Sequence, residues 1–173
     1  MPRVLTMLSL SLTLIALRAD AADASGKVTH NGAEMKVGAA VAVFDATSGF
    51  LEVHLLEQPP PAEEMARMRK GRTPAGRSAT VRLYVRNAEE HGWVVPPGDD
   101  VPMQIDAAEI IDRYSAASVI PTPATLKGTL VGRIQPGEVV TLTAKGEGSS
   151  MFKKTDQVTW DVVVKAKILE VKP

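Results

Sequence analysis

The stretch that decides the fold is "VTWDVVVKAKILEV", residues 158–171. Val158, Trp160, Val162, Val164, Ala166 and Ile168 recur at period two, and Asp161, Lys165 and Lys167 stand between them. Side chains alternate across a strand, so this pattern describes a long strand with one buried and one solvated face. Leu169 and Val171 break the phase, which points to a bulge near its end.

The same alternation recurs upstream. "EVVTLTAKG" (138–146) turns Val140, Leu142 and Ala144 inward, and "TLKGTLVGRI" (125–134) places Leu126, Leu130 and Ile134 on one face. Pro136-Gly137 makes the turn between them. "SATVRLYVRN" (78–87) points Val81, Leu83 and Val85 one way and Arg82, Tyr84 and Arg86 the other. "FLEVHLLE" (50–57) follows a Ser48-Gly49 turn, with Leu51, Val53 and Leu55 inward and Glu52 and His54 outward. "MKVGAAVAVF" (35–44) sets Met35, Val37, Ala39, Val41 and Val43 on one face. Its other face is small (Gly38, Ala40, Ala42), which suggests close backbone approach or a crossing element. "GKVTHNGAEMKV" (26–37) reads as a hairpin about Asn31-Gly32, a pair that accepts the positive φ of a type I′ turn.

One segment is helical. In "PPPAEEMARMRKG" (59–71) prolines lead in, Glu63 and Glu64 occupy the first turn, and Arg67, Arg69 and Lys70 fill the last. These charges match the helix dipole, and Gly71 can close the helix. Met65 and Met68 are spaced to pack onto a sheet. Residues 101–118 are the least legible: "DAAEIIDRYSAA" (106–117) fits a helix, or a strand and a turn. "EGSSMFKKTD" (147–156) reads as a polar loop. The expected fold is therefore all-β: an antiparallel β-sandwich or open barrel of about seven to eight strands with one short helix.

The chain has 173 residues, 20 of them basic and 20 acidic, and no cysteine. That balance supplies no global field for nucleic acid or anionic lipid. The absent thiols exclude a disulfide framework, thiol catalysis and thiolate metal sites. At 4% aromatic residues, few side chains are on hand for stacking on bases or sugars.

Residues 1–24, "MPRVLTMLSLSLTLIALRADAADA", carry a basic Arg3 and an apolar run of 14 residues from Val4 to Leu17. Small-x-small patterns follow at Ala19-Asp20-Ala21 and Ala22-Asp23-Ala24. This reads as a secretory signal peptide, residues 1–21, ahead of one β-sandwich domain, residues 22–173. An uncleaved membrane anchor is the competing reading, and it would want about 20 apolar residues. Processing would leave no transmembrane span, and the expected location is periplasmic or secreted.

Two segments together carry a resemblance. Residues 24–61, with the "G-x-V-x-x-N-G" hairpin, a small-residue strand and a strand ending in "L-L-x-x-x-P", resemble the opening of small exported bacterial all-β proteins of unknown function. "LKGTLVGRI" and "VTWDVVVKAKIL" resemble the closing half of those proteins. The resemblance implies a secreted all-β domain and carries over no functional residue.

Chemistry-bearing residues are sparse. His30, His54 and His91 are far apart, and no metal-ligand spacing such as H-E-x-x-H occurs. His54, beside Glu52, is expected on a solvated face, and His30 is expected to be exposed. There is no G-x-S-x-G elbow and no phosphate-cradling glycine loop. Paired acids such as Glu63-Glu64, Glu89-Glu90 and Asp99-Asp100 are neighbours in sequence, whereas acid/base pairs usually come from different elements.

Two candidate surfaces remain. "RMRKGRTPAGR" (67–77) offers Arg67, Arg69, Lys70, Arg72 and Arg77 as an anion-binding rim for an envelope lipid or acidic polysaccharide; a solvated helix end is the plainer reading. "HGWVVPPGDD" (91–100) offers His91, Trp93, Asp99 and Asp100 as a binding edge, or a structural loop pinned by its apolar residues. The expected function is a non-enzymatic binding or accessory domain of the cell envelope, needing no cofactor. A metal-binding accessory protein using His54 or His91, and a hydrolase, are the alternatives.

Overall fold

The computed structural model describes the backbone of residues 23–45, 50–84, 103–104, 109–112, 117–119, 126–149, 155 and 157–171. In chain order the elements are β1 (Asp23–His30), β2 (Ala33–Lys36), β3 (Ala39–Asp45), β4 (Phe50–Leu56), α1 (Ala62–Met68), β5 (Ser78–Tyr84), β6 (Met103–Gln104), β7 (Glu109–Asp112), β8 (Ala117–Val119), β9 (Leu126–Val131), β10 (Val139–Ser149) and β11 (Gln157–Glu170). The fold is all-β with one short helix, and the sheet does not close into a barrel. Eight of the strands fall in the seven segments that the sequence marks, one of which splits into β2 and β3. The other three, β6 to β8, lie in the poorly legible segment, where Glu109–Asp112 is strand rather than helix. β10 also runs on to Ser149, so the polar loop starts later than its composition suggests.

β11 organises the molecule. Its first part pairs with β10 on one side and β1 on the other; its last residues, Ile168 to Glu170, pair with β3. The β11–β3 pair is parallel, so the sheet is mixed rather than purely antiparallel. One leaf is thus β2-β1-β11-β10-β9-β6 and the other runs from β3 through β4, β5 and β7 to β8. Their inner faces share one core that includes Trp160, Val162, Leu142, Leu51, Val53 and Val81.

The β1–β2 hairpin turns through Asn31 (φ 47°) and Gly32 (φ 84°), both in the left-handed region. His30 pairs with Ala33, giving the two-residue turn that the Asn-Gly pair favours.

Two expectations are corrected. Met35 and Val37 do not share a face with Ala39, Val41 and Val43. The chain breaks at Val37-Gly38 as it crosses between leaves, and the phase flips: Val37 joins Ala40 and Ala42 in the main core. A side chain at Gly38 would meet the Glu57 carbonyl oxygen at 2.6 Å, so the close approach is real there. Second, β11 has no bulge at Leu169, because its register with β3 continues regularly. Ile168 points into the main core. Leu169 points into a second cluster with Ala39, Val41, Val43, Leu56 and Met68. Both faces of the strand are covered there, which mimics a broken period.

That second cluster is the underside of α1. Met68 is fully buried in it and Met65 packs against it. The helix closes as a Schellman motif: Arg72 N–H donates to the Arg67 carbonyl and Gly71 N–H to the Met68 carbonyl, with Gly71 at φ 69°.

Candidate functional site

The cap and the methionines decide which basic side chains reach water. Arg67, Lys70 and Arg72 are exposed and Arg69 is half-buried. Arg67 pairs with Glu64 one turn back, at 3.3 Å. Glu64 also accepts a hydrogen bond from the Ala75 backbone N–H, which ties the segment after the helix onto it. Arg77 is not part of this rim. Its guanidinium donates to the Glu34 carbonyl at 2.9 Å and the Ala33 carbonyl at 3.3 Å, and lies 3.8 Å from Glu57. It thereby covers carbonyl groups of β2, an edge strand. The rim thus reduces to Arg67, Lys70 and Arg72. These three side chains stand on an open surface at the end of α1.

His54 is the residue that sequence reasoning misplaced. It is only 2% exposed, because α1 and its cap cover the β3–β4–β5 face that alternation assigns to solvent. Its Nδ1 lies 3.0 Å from Thr80 Oγ1 and its Nε2 3.6 Å from Glu52. Glu52 in turn accepts from Arg82 at 2.7 Å, and the Arg82 guanidinium sits 5.1 Å from the Phe50 ring centre. Two neighbouring cross-strand pairs, His54–Thr80 and Glu52–Arg82, therefore form one polar chain on β4 and β5. Beside it is a small cavity of about 110 Å³, lined by Asp45, Phe50, Glu52, His54, Met68 and Val171 among others. A signal for this burial was in the sequence: Ala39, Val41, Val43 and Leu56 supply apolar residues to the face that carries His54.

His30 is half-buried rather than exposed. His91, Trp93, Asp99 and Asp100, the candidate binding edge, lie outside the described residues. Among the described residues, no group of three His, Asp or Glu side chains is placed to hold a metal ion, and no helix is long and apolar enough to cross a membrane.

Outside the core, the solvent face of the β1–β11–β10 leaf is polar and flat. Lys27 pairs with Glu34 at 3.3 Å and Lys145 with Asp161 at 2.7 Å, and all four side chains are well exposed. Val163 follows Asp161 on the same face of β11, between Ser25 and Thr143, and is 47% exposed. Compared with known proteins, the chain matches no family model, no curated protein and no solved structure.

Proposed function

We propose that the chain is an exported, non-enzymatic accessory domain of the cell envelope that engages anionic lipid head groups through the basic end of α1. The observation that carries the binding reading is the capped helix end. Met68 and the Schellman turn hold Arg67, Lys70 and Arg72 exposed within six residues of chain. Clustered cations of this kind complement a surface of closely spaced phosphates. Their small footprint suits head groups presented at a membrane.

Export is supported by the basic, apolar and small-x-small order of residues 1–21. The start of β1 favours the first of the two cleavage positions. Asp23 and Ala24 pair with Lys165 and Val164 of β11, so a cut after Ala24 would remove both from the ladder. A cut after Ala21 leaves it whole. Intact mass of the exported protein should place the first residue at Ala22; a protein retained in the membrane and still starting at Met1 would overturn this.

Binding is tested by co-sedimentation with vesicles of phosphatidylglycerol and phosphatidylcholine. Retention should fall as salt rises, since exposed charges are screened within about 8 Å at physiological ionic strength. The triple substitution Arg67→Gln, Lys70→Gln, Arg72→Gln should release the protein. No binding by wild type at low salt, or equal binding by the variant, would leave the rim a solvated helix end.

A further inference from the structure

The cavity beside the buried polar chain plays no part in the rim, yet the two adjoin. Its volume is about 110 Å³. Met68 and Gly71 wall it on the side of α1, and Asp45, Phe50, Glu52 and His54 line the side of β3 and β4. Gly71 is exposed, and Asp45, Phe50 and Glu52 are half-buried, so the cavity reaches the surface at the capped end of the helix. Lys70 and Arg72, two exposed cations of the rim, flank Gly71 in the chain.

The chemistry of the lining differs from that of the rim. It holds two carboxylates, those of Asp45 and Glu52, and no basic side chain among the described residues. Arg82 stands outside the lining and donates from Nε and Nη2 to one oxygen of Glu52, Oε1, while the other, Oε2, faces His54. A carboxylate has about four lone-pair sites, so Glu52 keeps capacity to accept further bonds. Few polar groups set among apolar walls, here Val43, Met68 and Val171, are the makings of a small-molecule site. The sign of those groups selects a cation.

Size and geometry narrow the choice. At roughly 30 Å³ per water-sized group, the cavity has room for about three or four such groups. That suits an ammonium with two methylenes and is too small for a choline group. A primary ammonium also donates three hydrogen bonds, which carboxylates accept. A quaternary ammonium prefers a cage of aromatic faces. The cavity offers one ring, Phe50, and the Arg82 guanidinium already sits 5.1 Å from its centre.

We propose that the cavity takes a small primary ammonium group, and that cavity and rim together read the ethanolamine head group of a membrane phospholipid. Lys70 and Arg72 would meet the phosphate, and the short ethylene link would carry the ammonium past Gly71 to Asp45 and Glu52. The inference rests on the rim reading for its phosphate contact and adds selectivity among head groups to it.

Co-sedimentation tests it at constant phosphatidylglycerol, with part of the phosphatidylcholine exchanged for phosphatidylethanolamine. Wild type should bind the ethanolamine vesicles about tenfold more tightly, the worth of one charge-assisted contact. Asp45→Asn should lose that gain without weakening the binding to phosphatidylglycerol and phosphatidylcholine alone. If Asp45→Asn melts lower than wild type, Val171→Phe fills the cavity from its half-buried end and should remove the gain too. In titration calorimetry, wild type should prefer O-phosphoethanolamine to O-phosphocholine by a similar factor. Intact binding to phosphatidylglycerol with no gain from ethanolamine overturns the inference and keeps the rim. A gain that survives in both variants overturns it as well. A protein that ignores phosphatidylglycerol yet prefers O-phosphoethanolamine would sink the anionic-membrane reading and keep the cavity.

Discussion

Truncating Met68 to alanine tests the role of α1 most directly. The helix has seven residues and no side-chain N-cap. Isolated helices shorter than about 12 residues are marginal in water, so α1 owes its existence to packing. Met68 is fully buried against Ala39, Val41, Val43, Leu56 and Leu169. Removing its three terminal heavy atoms forfeits about 2 kcal/mol of transfer free energy at about 0.8 kcal/mol per methylene. A residual cavity raises such losses into the 2–5 kcal/mol range. The helix lies on the outside of the sheet and can settle inward, so the lower half, about 2–3 kcal/mol, is expected. At about 2–4 °C per kcal/mol for a chain of this size, the melting temperature should fall by about 5–10 °C. Met65→Ala, at a half-buried position, should cost less than half as much. Thermal and urea unfolding followed by circular dichroism give the melting temperatures and the free energies. If Met68→Ala melts within about 1 °C of wild type, or Met65→Ala costs more, α1 is not held by Met68. Vesicle binding by the rim should weaken in Met68→Ala in parallel, because the same anchor holds Arg67, Lys70 and Arg72 in place.

Further expectations concern the buried polar chain and the backbone. Thr80→Val removes the partner of a buried imidazole nitrogen and should cost about 1–3 kcal/mol in urea unfolding, with Thr80→Ser restoring most of it; a neutral Thr80→Val would mean His54 is held by other groups. Gly26 has φ 123° and a side chain there would collide with the Asp161 carbonyl oxygen, whereas Gly137, at φ 92°, has open space around it. Gly26→Ala should therefore destabilise more than Gly137→Ala, whose cost is backbone strain of about 1–3 kcal/mol; thermal melts that reverse the order would refute the close β1–β11 approach. Arg77→Gln should cost about 1 kcal/mol of stability through the exposed β2 carbonyls and leave vesicle binding unchanged; a binding loss at unchanged stability would return Arg77 to the rim.

The strands were legible because each buries one face against a core, and a period of two survives in any sequence that does so. The Asn31-Gly32 turn and the Gly71 helix end depend on interactions within a few residues of chain, and the spacing of Met65 and Met68 records which face of α1 is apolar. Propensity and spacing record such interactions directly.

What the alternation could not carry is how many faces of a strand are covered. β3, the second half of β4 and the end of β11 are buried on both sides, because α1 packs over the face away from the main core. That one placement buries His54 and turns Leu169 from an apparent bulge into a core residue. Charge partners likewise depend on which strands meet. Arg77 belongs to β2, more than forty residues upstream, and so leaves the rim that its own neighbours form. Lys27, Asp161 and Lys145 become neighbours only once β1, β11 and β10 lie side by side in register. Sequence alone determined which residues alternate and where the chain turns, since those are local free energies. Tertiary structure decided which polar side chains are sealed and which are assembled into a surface, since burial and juxtaposition belong to pairs of segments distant in the chain.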